Sequence, residues 1–379
     1  MNEAPAFGIY VHWPFCAAKC PYCDFNSHVR TSVDEEGWVD AILRELAWTA
    51  EWQGGERPLV STIFFGGGTP SLMSAKATAC VIDTIMQTWR CTNDVEITLE
   101  ANPASVEAAR FHDYAQAGVN RLSLGVQALN DADLKRLGRL HNVAEAKAAL
   151  SIAMRNFARV SFDLIYARPQ QSLAEWRDEL NEALDFATEH LSLYQLTIEP
   201  ATPFAALHRS GALKVPDEDM AAGLYALTQE ITERRGRPAY EISNHAAPGA
   251  EARHNLLYWR YGSYAGVGPG AHGRLVRDGR RYETTTERLP ERWRERVSEK
   301  GSGIVEFNEI EPKEQAREQL LMGLRLSEGI RADKCSPPID REKIAALESQ
   351  GMVTLSGGML CATPRGRLVL NSVIAALAD

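Results

Sequence analysis

The chain reads Tyr10-Val11-His12-Trp13-Pro14-Phe15-Cys16-Ala17-Ala18-Lys19-Cys20-Pro21-Tyr22-Cys23 near its start, so three cysteines lie within eight residues. This C-x3-C-x2-C spacing differs from the repeated C-x2-C pairs of zinc knuckles. Three thiolates on one short loop can hold three corners of a [4Fe–4S] cluster, which leaves the fourth iron without a protein ligand. An open iron can bind the amine and the carboxylate of S-adenosylmethionine (SAM). A zinc site lacking its fourth ligand, or a chance cluster, is the alternative.

The composition is ordinary for a globular protein. The 379 residues are 45% hydrophobic and 24% charged, which is enough chain for a large core and more than one domain. With 41 basic and 50 acidic residues, the net charge is −9. A nucleic-acid interface needs a basic face, so the balance predicts no nucleic-acid partner.

The cysteine count and the apolar runs predict a cytoplasmic protein. Residues 1–5 lack the features of a secretory signal, and no apolar run approaches the ~20 residues that a membrane span needs. The odd count of seven cysteines argues against a disulfide framework, and reduced thiols suit the cytoplasm. We interpret the four scattered cysteines as small buried side chains: Cys80, Cys91, Cys335 and Cys361.

Short apolar runs alternate with helical patterns from residue 7 to residue 246. This alternation predicts a parallel sheet with right-handed crossovers, either a partial or full barrel or a doubly wound open sheet. The predicted strands are Phe7–Phe15, Thr62–Gly66, Val95–Ala101, Arg121–Gln127, Val160–Ala167, Leu191–Glu199 and Ala239–Ser243. The predicted helices are Asp34–Trp52, Ser74–Arg90, Ser105–Ala117, Ala144–Asn156, Leu173–Thr188 and Asp217–Arg234.

Polar and glycine-rich residues stand at the carboxyl ends of successive predicted strands. The cysteines follow the first strand, and Gly66-Gly67-Gly68-Thr69-Pro70 follows the second. Glu100-Ala101-Asn102-Pro103 closes the third strand and Gly125-Val126-Gln127 the fourth. Barrel enzymes place their active sites at this end. The fold class predicted is therefore α/β, with a partial (β/α)6 barrel over residues 1–246.

The last third of the chain lacks this alternation. Residues 247–293 are rich in glycine and aromatic residues and are predicted to form an irregular extension. Residues 294–379 are predicted to form a small C-terminal winged-helix-like domain. Its predicted helices are Pro312–Leu326, Asp340–Gln350 and Pro364–Leu377, and its hairpin pairs Met352–Leu355 with Met359–Ala362 around Ser356-Gly357-Gly358. The acidic charge favours a structural role for this domain over DNA binding.

The cysteine spacing, with Tyr22 directly before the last cysteine, resembles the signature of the radical-SAM superfamily. The wider stretch from Tyr10 to Ser27 resembles the coproporphyrinogen III dehydrogenase-like group, and within it the heme-chaperone branch. The resemblance covers nearly the whole chain. It implies the same partial (β/α)6 barrel, a [4Fe–4S] cluster on Cys16, Cys20 and Cys23, and bound SAM.

The resemblance also implies which residues contact SAM. Gly67, Gly68 and Thr69 match the motif that meets the amino group of SAM, and Glu100 matches a glutamate that faces it. The other implied contacts are Tyr10 and Tyr22, and, for a second SAM, Gln127, Arg139 and Asp163. The alternative is a plain tight turn and a packed polar network under the barrel mouth. Asp163 lies in an apolar run, so its carboxylate needs a partner.

A second motif, His254-Asn255-Leu256-Leu257-Tyr258-Trp259, resembles the H-N-x-x-Y-W signature associated with heme handling in the heme-chaperone branch. A histidine nitrogen can bind heme iron, and Tyr258 and Trp259 can stack on a porphyrin face. His272, in a glycine-rich run, is a weaker heme candidate. The alternative for the motif is a structural role, because an isolated histidine near aromatic residues is more often structural than a ligand.

Two functions follow from the resemblance. The first is a heme chaperone that binds heme and delivers it to acceptor proteins such as respiratory enzymes, some of them at the membrane. The second is oxygen-independent oxidative decarboxylation of coproporphyrinogen III. The dehydrogenases carry a further cysteine where this chain has Phe25, and a longer arm than the fifteen residues before Cys16. These departures favour the chaperone. Productive SAM cleavage, the number of SAM molecules, the identity of the acceptor and formation of a homodimer are left open.

Overall fold

Six parallel strands, each followed by helices, form the centre of the computed structural model, which describes residues 7–55 and 57–378. They lie side by side in chain order: β1 (Phe7–Trp13), β2 (Val60–Gly67), β3 (Cys91–Ala101), β4 (Arg121–Gln127), β5 (Arg159–Tyr166) and β6 (His190–Gln195). The predicted α/β fold with a partial (β/α)6 barrel is confirmed. The predicted lack of a secretory signal concerns residues that lie outside the described part of the chain.

Helices connect the parallel strands. They are α1 (Glu35–Gln53), α2 (Ala75–Thr88), α3 (Ser105–Ala108), α4 (Phe111–Gln116), α5 (Asp131–Arg136), α6 (Val143–Asn156), α7 (Leu173–Asp185), α8 (Pro203–Arg209) and α9 (Glu218–Arg234). Side-chain caps fix several starts, such as Ser74 before α2 and the capping boxes of Asn142 and Ser172. No helix in the described ranges has the length and apolar character that a membrane crossing requires.

The barrel interior depends on strands that are buried on both faces. Six of the seven residues of β1 are buried, and Ile9 and Val11 are fully enclosed. Ile63 and Phe65 on β2 and Leu99 on β3 are enclosed in the same way. Helices cover one face of these strands and the barrel lumen the other, which explains the near-continuous apolar runs.

The extension has more regular structure than the sequence predicts. It contains α10 (Arg253–Trp259), β8 (Ser263–Val267), β9 (His272–Arg277), β10 (Arg280–Thr286), α11 (Pro290–Lys300) and β11 (Ile304–Glu309). β8 pairs parallel with β1, and β9 to β11 continue the sheet antiparallel. β9, β10 and β11 are largely polar and partly exposed, and β8 has only three buried residues, Ala265 to Val267, so this stretch lacks a long apolar run. The sheet continues to Glu309, and the predicted boundary after residue 293 falls inside α11.

The opposite edge of the sheet is also displaced from its prediction. The seventh strand, predicted at Ala239–Ser243, is β7 (Asn244–Ala246), which pairs antiparallel with β6. Only a single bridge, from Ala239 to His245, lies in the predicted stretch. Within the described part of the chain, this sheet has eleven strands.

A small C-terminal domain packs against the extension. It consists of α12 (Pro312–Gly323), β12 (Ile330–Arg331), α13 (Arg341–Ser349), β13 (Val353–Ser356), β14 (Met359–Ala362), α14 (Pro364–Leu368) and α15 (Leu370–Ala378). The predicted hairpin is β13–β14, and β12 adds a third strand. Leu320, Leu360 and Val373 are in a second hydrophobic core, whose buried residues all belong to this domain and against which Ile242 also packs. Glu318 bonds Arg274 and Tyr261 and so attaches the domain to the extension.

A buried glutamate attaches the extension to the barrel. Glu45, on α1, is 1% exposed and accepts hydrogen bonds from the backbone N–H groups of Gly268, at 2.8 Å, and Gly303, at 2.6 Å. The indole N–H of Trp293 donates to the same carboxylate at 3.0 Å. Burial raises the pKa of Glu45 to about 7, and the three donors act in the opposite direction.

Substitution of Glu45 tests this attachment. Glu45→Ala leaves three buried donors without their acceptor, so we expect the free energy of unfolding to fall by about 3 kcal/mol. Asp40→Ala, an exposed acidic position on the same helix, is the control and is expected to change it by less than about 0.5 kcal/mol. Urea denaturation of both variants measures the difference. Equal losses of unfolding free energy in the two variants would show that Glu45 does not attach the extension to the barrel.

Candidate functional site

The three cysteines lie on a loop at the carboxyl end of β1. We call residues 16–27 the cysteine loop. A short parallel ladder, Phe15–Cys16 with His28–Val29, closes its base. All three thiols are free, and all three are partly exposed. They face one cavity of about 350 Å³ at the carboxyl ends of the six parallel strands.

The cavity brings together most of the residues predicted to bind SAM. Its lining includes Cys16, Cys20, Tyr22, Cys23, Gly67, Gly68, Thr69, Glu100, Gln127, Arg139 and Asp163. Tyr10 is not in the lining, and its hydroxyl bonds His12 Nδ1 at 2.9 Å inside the barrel. The heme candidates His254, Tyr258, Trp259 and His272 are not in the lining either.

The glycine run packs against the cysteine loop. Gly68 N–H donates to the carbonyl of Trp13 at 2.7 Å, and Thr69 N–H donates to that of Phe15 at 2.8 Å. Gly67 has φ +110°, and a Cβ there would lie 2.6 Å from the His12 ring. A Cβ on Gly68 would lie 2.7 Å from the Phe15 carbonyl oxygen. Backbone conformation and close packing both favour glycine at position 67, and close packing alone favours it at position 68.

A chain of hydrogen bonds connects the strand-end loops to two of the cysteines. Arg139 donates to the side-chain oxygen of Asn102 and lies 3.5 Å from Cys20 Sγ. The Asn102 amide donates to Thr69 Oγ1 at 3.2 Å, and that hydroxyl donates to Cys16 Sγ at 3.5 Å. Donors aimed at sulfur stabilise thiolates and tune an iron–sulfur cluster.

Two carboxyl groups lie on the floor of the cavity. Burial, together with the charge of Asp163, raises the pKa of Glu100 to about 8, while the Gly67 N–H acts to lower it. Burial also raises the pKa of Asp163 to about 6, although Ser192 and Ser123 donate to it. These hydroxyls are the partners that a buried Asp163 needs. The floor suits a ligand with cationic groups, because a cation favours the ionised carboxylates.

A β-bulge directs Gln127 to the cavity. The register between β4 and β5 shifts between Leu124 and Gln127, so the end of β4 carries an extra residue. Gln127 has φ +73°, in the left-handed region that a non-glycine residue seldom adopts. A Cβ on Gly125 would lie 2.9 Å from the Gln127 amide nitrogen. Strained backbone of this kind is concentrated at functional sites.

The sequence analysis missed the residues that follow β6. This strand was predicted to extend to Glu199 but ends at Gln195. The cavity lining includes Tyr194, Gln195, Thr197 and Glu199, and also Asn102 and Ser123. Because carboxyl ends of parallel strands carry barrel sites, the end of the sixth strand was the signal that could have identified them.

The H-N-x-x-Y-W motif lies near the amino ends of the strands, away from the cysteines. It forms α10, and His254 is 1% exposed. Its Nδ1 lies 2.7 Å from Thr62 Oγ1, its Nε2 lies 2.6 Å from the Tyr258 hydroxyl, and its ring stacks on Phe64. Burial lowers the pKa of His254 to about 3, so the ring is neutral. Both ring nitrogens are therefore occupied in this conformation.

The other heme candidates differ in exposure. The Tyr258 ring packs edge-on against Tyr264, with centroids 4.4 Å apart. Trp259 is partly exposed, and the Arg325 guanidinium lies 5.9 Å from its ring centroid. His272 is exposed on β9. Iron ligation by His254 or His272 stays a prediction.

Comparison with known proteins gives the family. The radical SAM superfamily model matches residues 10–183, and the HemN C-terminal domain model matches residues 310–369. The heme chaperone HemW of Escherichia coli K12 is 38% identical over 99% of this chain and 98% of that protein. The chain belongs to the HemW family of the radical SAM superfamily.

Relatives in animals and one solved structure extend this result. The mitochondrial radical S-adenosyl methionine domain-containing protein 1 of Bos taurus is 36% identical over 99% of the chain and 89% of its own length. The structure of the coproporphyrinogen III oxidase HemN from Escherichia coli matches with a TM-score of 0.81 at 21% identity, covering 100% of this chain and 91% of that chain. At that identity the match establishes the fold alone.

The residues at the cavity fit the [4Fe–4S] cluster and SAM that a radical SAM domain holds. Three thiols face the cavity, and the other four cysteines lie outside it, so a cluster held here has one iron without a thiolate. Within residues 7–55 and 57–378, no three His, Cys, Asp or Glu side chains converge to hold a single ion.

The raised pKa of Glu100 predicts a pH dependence of SAM binding. Below about pH 8 the carboxyl is mainly neutral, and above it the carboxylate attracts the sulfonium of SAM. We expect the affinity of the wild-type protein, relative to that of Glu100→Gln, to rise about tenfold between about pH 7 and pH 9. The ionisation of SAM itself affects SAM binding by both proteins equally, so the Glu100→Gln variant serves as the control. Parallel pH profiles would exclude this role for Glu100.

Removal of the thiols tests the cluster site. The triple variant Cys16→Ser, Cys20→Ser, Cys23→Ser should lose iron and sulfide but keep its circular dichroism spectrum, because the barrel core does not include these side chains. Cys80→Ser is the matched control and should retain the full cluster, because Cys80 lies outside the cavity and, contrary to the prediction that it is buried, is exposed. Iron and sulfide analysis after anaerobic reconstitution measures both. A full cluster in the triple variant would refute the assignment.

Proposed function

We propose that the protein is a heme chaperone, which binds heme and transfers it to acceptor proteins such as respiratory enzymes. The observation that supports this proposal most is the 38% identity, over nearly the full length of both chains, with the heme chaperone HemW of Escherichia coli. The H-N-x-x-Y-W motif supports it further. In this proposal the cluster and SAM have a supporting role, and acceptors at the membrane are reached without a membrane-spanning helix in the described residues.

The cavity argues against coproporphyrinogen III as a substrate. Five carboxyl groups line it against two basic side chains, and each pyrrole ring of coproporphyrinogen III carries a propionate. The acidic residues are Asp24, Glu100, Glu107, Asp163 and Glu199, and the basic ones are Lys19 and Arg139. The ionised carboxylates of the lining repel propionates strongly in a partly buried site, and Glu100 adds to this repulsion above about pH 8. At the position of the extra cysteine, Phe25 is 62% exposed and offers no thiol.

We propose that heme contacts the motif on α10 through Trp259 first. The Trp259 indole is accessible, and the nearby Arg325 guanidinium can pair with a heme propionate. Ligation of iron by His254 then requires the Tyr258 hydroxyl to release Nε2. The proposed heme contacts are thus His254, Tyr258 and Trp259, with Trp259 available before any rearrangement.

When bound, the cluster and SAM supply one-electron chemistry at the mouth of the barrel. The chain holds them with Cys16, Cys20 and Cys23 and positions SAM with the backbone of Gly67 and with Glu100. Tyr22 covers one side of the cavity, where its ring packs 6.3 Å from that of Phe204. The remaining proposed SAM contacts are Gly68, Thr69, Gln127, Arg139 and Asp163, which all line the cavity, whereas Tyr10 does not line it and is not proposed as a contact.

Heme titration followed by the Soret band tests the chaperone. Trp259→Ala should weaken heme binding about tenfold, because it removes an aromatic surface, and His254→Gln should change the Soret position, because an amide does not ligate iron. His112→Ala, an exposed histidine away from the motif, is the control and should bind as the wild type does. Absence of heme binding by the wild-type protein would refute the chaperone. Identical titrations of all variants would place heme elsewhere, with His272 examined next.

A second assay tests the dehydrogenase alternative. Cluster-reconstituted protein, supplied with SAM, a reductant and coproporphyrinogen III, should form no protoporphyrinogen IX, because Phe25 and the acidic cavity do not suit that reaction. Decarboxylated product is detected by chromatography after oxidation to the fluorescent porphyrin. Steady turnover would make the enzyme the preferred function.

A further inference from the structure

Asn26, three residues after the last cysteine, connects the cysteine loop to the extension. Its side-chain amide donates to the carbonyl of Pro269 at 2.9 Å and to that of Arg288 at 2.9 Å. Both acceptors belong to the extension, more than two hundred residues further along the chain. Asn26 does not line the cavity, whereas its neighbours Phe25 and Ser27 do. The contacts of its side chain therefore lie outside the cavity.

The remaining acceptors of Asn26 are also in use. Its backbone carbonyl accepts from His12 Nε2 at 3.0 Å, and its side-chain oxygen lies 3.2 Å from His28 Nε2. His12 in turn accepts from the Tyr10 hydroxyl. Asn26 is thus hydrogen-bonded to His12 on β1, to His28 in the ladder at the base of the loop, and to the extension.

The acceptors on the extension are held in place by other contacts. Gly268 N–H bonds Glu45, and the Gly268 carbonyl accepts from Thr286 Oγ1 at 2.6 Å. Gly270 N–H bonds the Glu287 carbonyl at 2.9 Å. A Cβ on Gly270 would lie only 2.4 Å from the Asn26 amide nitrogen. The turn at residues 268–270 is thus a fixed surface against which Asn26 fits closely.

We propose that Asn26 is a positioning residue for the iron–sulfur cluster, which acts by fixing the cysteine loop to the turn at residues 268–270. The loop is short, so a shift of Asn26 displaces Cys23 relative to Cys16 and Cys20. Such a displacement changes the environment of the cluster and the place where SAM binds the open iron. The extension therefore supports the cofactor site as well as carrying the H-N-x-x-Y-W motif. This inference depends on the family cofactor and is independent of heme binding.

Two substitutions at Asn26 test the proposal from the loop side. Asn26→Asp keeps the shape but points oxygens at the carbonyls of Pro269 and Arg288, and Asn26→Ala removes the amide. In both variants we expect an altered electron paramagnetic resonance spectrum of the reduced, SAM-bound cluster and about tenfold weaker SAM binding. The thermal midpoint of the cluster-free protein should stay within a few degrees, because the barrel core is untouched.

Two glycine substitutions test it from the extension side. Gly270→Ala places a methyl group against the Asn26 amide and should reproduce the spectral change and the loss of SAM affinity. Gly279→Ala is the matched control, because Gly279 has φ +75° against +74° for Gly270 and no atom within 4 Å of its added Cβ. The two alanine variants carry the same backbone strain in the same extension, but only the methyl group added at residue 270 contacts Asn26.

Each outcome decides the proposal. Altered spectra in the Asn26 variants and in Gly270→Ala, with a wild-type spectrum in Gly279→Ala, support it, and so does selective cluster loss in the same three variants while they remain folded. Wild-type spectra and SAM affinity in both Asn26 variants overturn it. The proposal also fails if Gly279→Ala changes the spectrum as much as Gly270→Ala, because strain alone then explains the effect. If Gly270→Ala does not fold, the two Asn26 variants decide.

Discussion

The carboxylate of Glu45 is the interaction on which the arrangement of the molecule depends. A buried carboxylate is costly unless its oxygens are satisfied, and here three N–H donors converge on it. Two of the donors are backbone groups on either side of α11, and the third is Trp293, whose ring stacks on Trp38 of α1 at 5.7 Å. This side chain thereby joins the extension to the edge of the barrel, beside the apolar contacts that Val267, Leu275 and Val297 make with the barrel core.

This attachment determines the surroundings of β1. Because β8 is held in place, β1 has a parallel neighbour on each side, β2 and β8, instead of an open edge. The cysteine loop then leaves the sheet between two fixed supports, the glycine run after β2 and the turn after β8. A rigid scaffold under a functional loop is what a cluster with one open iron requires, since SAM must meet that iron in one orientation.

Strands with a clear apolar pattern were predicted well, including two in which alternate residues are only partly buried. β4 was predicted at its observed bounds, as was β14, because apolar runs and turn residues mark both ends. The extension was predicted as irregular, since β8 is short and β9 and β10 are partly exposed and rich in arginine and threonine. The role of Glu45 was not predicted, because its partners lie 223 to 258 positions away. Asn26 was missed for the same reason, because only tertiary contacts give it a role.

The two regions that the sequence singled out lie at opposite ends of one packed interior. From the cysteine loop, contacts run through His12 to Tyr10, from Tyr10 to Phe64 with ring centroids 6.2 Å apart, and from Phe64 to His254 at 5.0 Å. Close-packed interiors transmit displacement, so a change at His254 reaches the supports of the cluster. Weaker heme binding in a His254 variant therefore reports a lost contact only when the cluster spectrum of that variant is unchanged.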